Sequence, residues 1–142
     1  MLSSSLAGIM QLAILAAGGG ETYAEAHKVA MQTNRPMVVM VGADWCPACE
    51  RMKEEVLPQV RERGLLRKVA FAIVNLDREK ELGDQLVRGG PIPQMLLFRR
   101  TSDGWRVRRL IGSQSVEAVE SLLNEGLRAE ETAKQADKSK LR

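Results

Sequence analysis

The chain has 142 residues, 44% of them apolar and 27% charged, with a formal net charge of +3. That is the length and composition of one globular domain, which excludes a disordered chain, and the charge is too mild to imply a nucleic-acid partner by itself. The two cysteines, Cys46 and Cys49, are too few for the disulfide framework of a small secreted fold, so their use is expected to be chemical.

Residues 1–20 carry no charged side chain, and Leu6 to Ala17 is a largely apolar stretch ending at Gly18-Gly19-Gly20. This fits the apolar core of a secretory signal, with Ala16-Ala17-Gly18 as a small-residue cleavage zone. It is too short for a stable membrane span, which needs roughly 20 residues. Met1 to Ser5 lacks the usual Lys or Arg of a signal. Export, to the periplasm or elsewhere, is favoured; a packed or disordered extension on a cytoplasmic protein is the alternative. The chain therefore divides into residues 1–20 as signal or extension, 21–128 as the folded domain and 129–142 as a polar tail that frays.

Glu21 to Thr33 suits a helix with Tyr23, Ala26, Ala30 and Met31 on one face, stopped by Asn34-Arg35-Pro36. Met37 to Val41 is a continuous apolar run of strand length, as expected where both faces are covered. Asp44 to Cys49 turns into a helix continued by Met52, Val56, Leu57 and Val60, which Pro58 should kink or divide. Val69 to Leu76 reads as a second strand, and Glu79 to Val87 as a short helix ending at Gly89-Gly90. Gln94 to Phe98 and Arg106 to Ile111 are strands joined by the hairpin residues Thr101-Ser102-Asp103-Gly104. Ser115 to Leu127 is a last amphipathic helix through Val116, Val119, Leu122 and Leu123. The order α-β-α-β-α-β-β-α predicts an α/β domain with a mixed sheet and helices on both faces.

The chemistry concentrates in Trp45-Cys46-Pro47-Ala48-Cys49, placed where a strand hands over to a helix. Two intervening residues let both sulfurs lie on one helical turn, close enough to bond. Cys46 would sit near the N-cap, beside unpaired N–H groups and the positive end of the helix dipole, which favour a thiolate nucleophile. Cys49, one turn deeper, would be the resolving thiol. Pro47 costs little at the first helical position. Three plainer readings compete. Zinc needs four ligands, and the chain has two cysteines and His27. A structural disulfide closing so small a loop would stabilise little. A pair without function could also arise by chance.

The second signal is Gly90-Pro91-Ile92-Pro93-Gln94, leading into Met95-Leu96-Leu97-Phe98. Proline is tolerated at the first position of a strand. A cis Ile92–Pro93 bond fits so tight a turn, and an ordinary trans turn is the alternative. Arg99, Arg100, Arg106, Arg108 and Arg109 cluster on the last hairpin. Either they meet an acidic partner or lipid head groups, or they are the charges of an edge strand. Met37, Met40, Met52 and Met95 read as core filler.

From about residue 22 to 127 these features resemble the thioredoxin-like superfamily. The resemblance rests on the redox motif after a buried strand, Asn75-Leu76-Asp77 ending the next, Gly90-Pro91-Ile92-Pro93, the Leu96-Leu97-Phe98 strand and Gly112 before the last helix. It implies a thioredoxin-like fold with a central four-stranded sheet that lacks the full fold's first strand. It further implies that Cys46 attacks and Cys49 resolves. Pro93 would be cis beside them, and Ile92 would offer backbone groups to a bound segment as a β-like contact. Trp45 and Pro47 would flank the substrate. Two positions depart from the family pattern: an acid usually stands six residues before the nucleophile, and its lysine partner two residues before the Asn. Here they are Met40 and Ile73, an apolar pair in place of a buried ion pair, which need not cost stability. Asp44, Glu50 or water is then left to serve Cys49. The helix-first layout looks like thioredoxin-like proteins of bacterial cell envelopes.

The resemblance thus implies a thiol–disulfide oxidoreductase acting on protein thiols and disulfides, with no bound cofactor and no metal. Its expected partners are protein substrates and an upstream thiol reductase or oxidase, with neither nucleic acid nor a membrane span, and the chain is expected to be a monomer. Two other readings stand beside it: a redox-inert, chaperone-like binding module, and an electron relay dedicated to one envelope partner.

Overall fold

In the computed structural model, which describes residues 22–142, a capped helix leads into the sheet. The apolar segment read as a signal or extension lies outside the described residues. Helix α1, Tyr23–Thr33, opens on a capping box: Thr22 Oγ1 accepts the Glu25 N–H and Glu25 accepts the Thr22 N–H. Asn34, at φ 56°, ends it in the left-handed conformation. Ala26 and Ala30 are buried as expected, but Met31 is 54% exposed. Each helical residue advances by roughly 100°, so Met31 turns off the stripe one step after Ala30. Val29 packs in its place.

Strand β1, Met37–Gly42, is buried at every position. It pairs in parallel with β2, Ala70–Asn75, and antiparallel with β3, Gln94–Thr101. Strand β4, Gly104–Ile111, completes a mixed four-stranded sheet of order β2-β1-β3-β4. The hairpin loop closes tightly: Thr101 pairs with Gly104, whose φ of 110° suits glycine.

Between β1 and β2 the chain is helical but interrupted. Helix α2, Pro47–Arg51, runs into a π-helical turn, Met52–Val56, and then α3, Leu57–Glu62. Pro58 accounts for the break, because it has no N–H to continue the ladder. Just before it, the Leu57 N–H reaches back five residues to the Met52 carbonyl. A short 3-10 turn, Leu65–Lys68, precedes β2, and α4, Lys80–Val87, follows it.

Helix α5, Val116–Lys140, is much longer than its apolar stripe. The tail expected to fray from residue 129 is its continuation. Arg128 to Lys140 contains no Gly or Pro and is rich in Ala, Glu and Lys, so a helix already anchored propagates through it. Glu130 and Lys134 add an ion pair one turn apart at 2.7 Å.

The sheet divides the core in two. One face carries Val38, Met40, Met95 and Leu97 against α2, α3 and α5. The other carries Val39, Val41, Ala72 and Leu96 against α1 and α4. Helices on both faces explain why β1 reads as an unbroken apolar run rather than an alternating one. All four methionines expected in the core are buried there. Three arginines of the last hairpin meet acids of this chain: Arg99 of β3 and Arg108 of β4 both pair with Glu125 of α5, and Arg106 pairs with Asp103.

Gly126 lets α5 settle onto β3, since a Cβ there would lie 2.7 Å from Leu97 and 3.0 Å from Pro36. We expect Gly126→Val to destabilise the fold by about 1–3 kcal/mol through overpacking, despite better helix propensity. A lower urea midpoint would register it; an unchanged midpoint would mean α5 does not dock this way.

Candidate active site

The site begins where β1 ends. Gly42 closes the strand, Ala43 to Trp45 turn, and Cys46 becomes the N-cap of α2 with extended backbone. The Cys49 N–H points back and donates to Cys46 Sγ at 3.2 Å. Negative charge on that sulfur would be stabilised by this donor and by the helix terminus. The two cysteines are joined as a disulfide, with their Cα atoms 5.2 Å apart. Pro47 occupies the first turn of α2, where no hydrogen bond is asked of it.

Cys46 is less open than a helix start suggests: it is 5% exposed, against 0% for Cys49. The cover comes from the loop ahead of β3, whose Ile92 carbonyl oxygen lies 4.0 Å from Cys46 Sγ. The Ile92–Pro93 peptide is cis, and Pro93 is buried. The loop is tied down behind by the Gly112 N–H, which donates to the Pro93 carbonyl at 2.8 Å. Structure thus brings Cys46, Cys49, Ile92 and Pro93 together.

Below the dithiol the floor is apolar. A Cβ on Gly42 would come within 3.1 Å of both Cβ and Sγ of Cys49, and 3.6 Å from the Met40 methyl. Met40 therefore underlies Cys49, as the six-residue spacing required. Its register partner on β2 is Ile73, so the two apolar replacements sit side by side.

The rim is polar, and it holds Asp77 and Arg78, to which the sequence alone assigns no role. Asp77 accepts the Trp45 indole N–H and the Asp44 backbone N–H, both at 3.2 Å. Asn75 donates to Asp44 at 2.8 Å, and Arg78 pairs with Asp44 at 3.2 Å. This network pins Trp45, which stands 69% exposed beside the dithiol. Its signal in the sequence was the Asn75-Leu76-Asp77 strand end. It engages the Asp44 carboxylate with Asn75 and Arg78, and Glu50 is paired with Lys53 at 2.5 Å. His27 stacks on Tyr23 along α1. Among the described residues no cluster of three His, Cys, Asp or Glu side chains could hold a metal, and no helix is long and apolar enough to cross a membrane.

A family model described as a thioredoxin-like domain matches residues 23–127, and the chain belongs to that family. Among solved structures it is similar to a thioredoxin from Thermus thermophilus, with 24% identity and a TM-score of 0.63 over 75% of this chain and 85% of that one. It is also similar to chloroplastic thioredoxin z, with 16% identity and a TM-score of 0.60 over 75% and 91% of the two chains. A thioredoxin from Halobacterium salinarum gives 21% identity and a TM-score of 0.57 over 75% and 87%. At these identities the likeness is one of fold. No curated protein matches the chain. A thioredoxin-like domain carrying a Cys-x-x-Cys pair at bonding distance supports a redox enzyme in general.

Removing the Asp77 carboxylate should release Trp45 and the turn before Cys46 together. In a Trp105→Phe background, Asp77→Ala should lower the fluorescence anisotropy of the remaining indole and destabilise the fold by about 1 kcal/mol, the net worth of one or two such bonds. Unaltered anisotropy would show that Trp45 is held by something else.

Proposed function

We propose that this chain is a thiol–disulfide oxidoreductase acting on protein cysteines. The observation that carries the reading is the placement of Cys46 Sγ. It receives a backbone N–H from the helix start and lies 4.0 Å from a loop carbonyl beside which an extended segment can dock.

In the reducing direction, the Cys46 thiolate attacks one sulfur of a substrate disulfide. The Cys46–substrate bond forms, the substrate disulfide breaks, and one substrate sulfur leaves as a thiolate that takes a proton from solvent. Cys49, as thiolate, then attacks Cys46 Sγ, closing the Cys46–Cys49 disulfide and releasing the second substrate sulfur. Two electrons pass from the dithiol to the substrate. An upstream thiol reductase restores the dithiol; in the oxidising direction the same steps run backwards and an oxidase restores the disulfide. Trp45, Pro47, Ile92 and Pro93 form the surface that meets the substrate segment, with the Ile92 backbone as the β-like partner. No cofactor is required by these steps.

Turbidity from insulin reduction under dithiothreitol tests the activity. The wild type should accelerate it, and Cys46→Ser should return the rate to that of dithiothreitol alone. A wild-type rate no faster than the reagent would favour the binding-module reading.

The roles of the two sulfurs separate in a trapping experiment. Cys49→Ser should accumulate mixed disulfides with partner proteins, because the resolving thiol is missing, and Cys46→Ser should accumulate almost none. Mild iodoacetamide on the reduced protein should likewise label Cys46 ahead of the fully buried Cys49. Equal capture by both variants, or preferential labelling of Cys49, would overturn the assignment.

A further inference from the structure

The residue after the cis proline is a glutamine, and Gln94 is the one fully buried polar side chain among the described residues. Burying an amide is unfavourable unless its donors and acceptor are met. Each of them is met by a part of the chain that frames the Ile92 loop. Gln94 Nε2 donates to the Pro91 carbonyl at 2.9 Å and to the Val87 carbonyl at 3.4 Å. Gln94 Oε1 accepts from Nη1 of Arg109, which also donates to the Leu86 carbonyl at 2.7 Å.

Leu86 and Val87 form the last turn of α4, whose final carbonyls have no partner within the helix. A cation at that end is favoured by the helix dipole. Arg109 comes from the middle of β4, beside Leu96 of β3. One side-chain pair therefore links α4, the Gly90–Pro93 loop and the edge strand. Gly90 belongs to the same construction: a Cβ there would fall 2.6 Å from Gln94 Nε2 and 3.1 Å from the Val87 carbonyl. Burial, with the charge of Arg88 second, pushes the Arg109 guanidinium below the usual arginine range. Its place in the network is thus held against an electrostatic penalty.

The bond to Pro91 is the one that bears on function. Pro91 precedes Ile92, whose carbonyl stands 4.0 Å from Cys46 Sγ. From that geometry we infer that Gln94 and Arg109 are positioning residues for protein substrates. They set the height of the Ile92 backbone over the dithiol, and so the fit of an extended segment carrying the target sulfur. The inference rests on the oxidoreductase reading above. It concerns docking of the protein chain and not the sulfur chemistry.

Two probes separate those contributions. Reduction of insulin by the pre-reduced protein needs the loop; reduction of a small aromatic disulfide, 5,5′-dithiobis(2-nitrobenzoate), needs only Cys46 and Cys49. Arg109→Met removes the guanidinium while keeping much of its length. Gln94→Glu keeps an acceptor for Arg109 but replaces the donor to Pro91 with a carboxylate oxygen. Gly90→Ala leaves both partners in place and displaces the Gln94 amide, which keeps the test open if either other variant fails to fold. For folded variants, we expect the half-saturating insulin concentration to rise about three- to tenfold, as loss of one or two buried hydrogen bonds would give. The rate with the small disulfide should stay within about twofold on the same grounds.

An unchanged insulin half-saturation in variants that only melt earlier would overturn the inference and leave a structural cap. Equal losses with both probes would overturn it as well, because the network would then act on the dithiol or the fold. A wild type that reduces the small disulfide but not insulin would overturn the protein-oxidoreductase reading and this inference together. Normal wild-type turnover with unaffected variants would overturn this inference alone.

Discussion

The first turn of α2 has to lie almost in contact with the end of β1, and the surroundings of the dithiol follow from that. The approach is closest because residue 42 has no side chain: a Cβ there would stand 3.1 Å from both Cβ and Sγ of Cys49, tighter than ordinary van der Waals contact. Once α2 is seated so low, Cys49 is sealed against the sheet and Cys46 is left at the helix rim, under the Ile92 loop. The unequal surroundings of two identical side chains come from this contact. A side chain at 42 would press first on Cys49, so stability and chemistry meet at this contact.

The same contact makes the floor under Cys49 matter. Many members of the family are expected to place a buried acid and lysine there; this chain has Met40 beside Ile73. A dry apolar pair avoids the desolvation of two charges, at no necessary loss of stability. It also removes a fixed proton acceptor from below the resolving sulfur. The two acids that sequence offered as substitutes are engaged elsewhere, Asp44 with Asn75 and Arg78, and Glu50 with Lys53. Asp44 and Asp77 have instead become fasteners, holding Trp45 and the turn before Cys46 to the loop after β2.

Features governed by neighbours in sequence were legible before any coordinates. The unbroken run of β1, the Cys46 cap with Pro47 behind it, the break near Pro58 and the Thr101–Gly104 hairpin all express local rules of burial, capping and turn geometry. Met31 was misplaced because one helical step separates a packed from an exposed position, and residue type alone did not decide between Val29 and Met31. The end of α5 was missed because a polar segment with no face to bury resembles a tail, although its helix propensity is high. The cover over Cys46 and the Gln94–Arg109 link were not legible at all. Both depend on segments that meet only in the folded chain, and Arg109 read as one more charge on an edge strand.

The length of α5 has a mechanical consequence. Its 25 residues span about 37 Å, whereas the eight-residue strand beneath it spans about 27 Å. The helix starts near Gly112, which is bonded to Pro93 at the dithiol end, and passes Pro36 at the opposite end by Gly126. Its last turns therefore project beyond the sheet, away from the cysteines. The far end of the helix is thus held on a rod rather than a leash, at a set direction and distance from the sulfur chemistry.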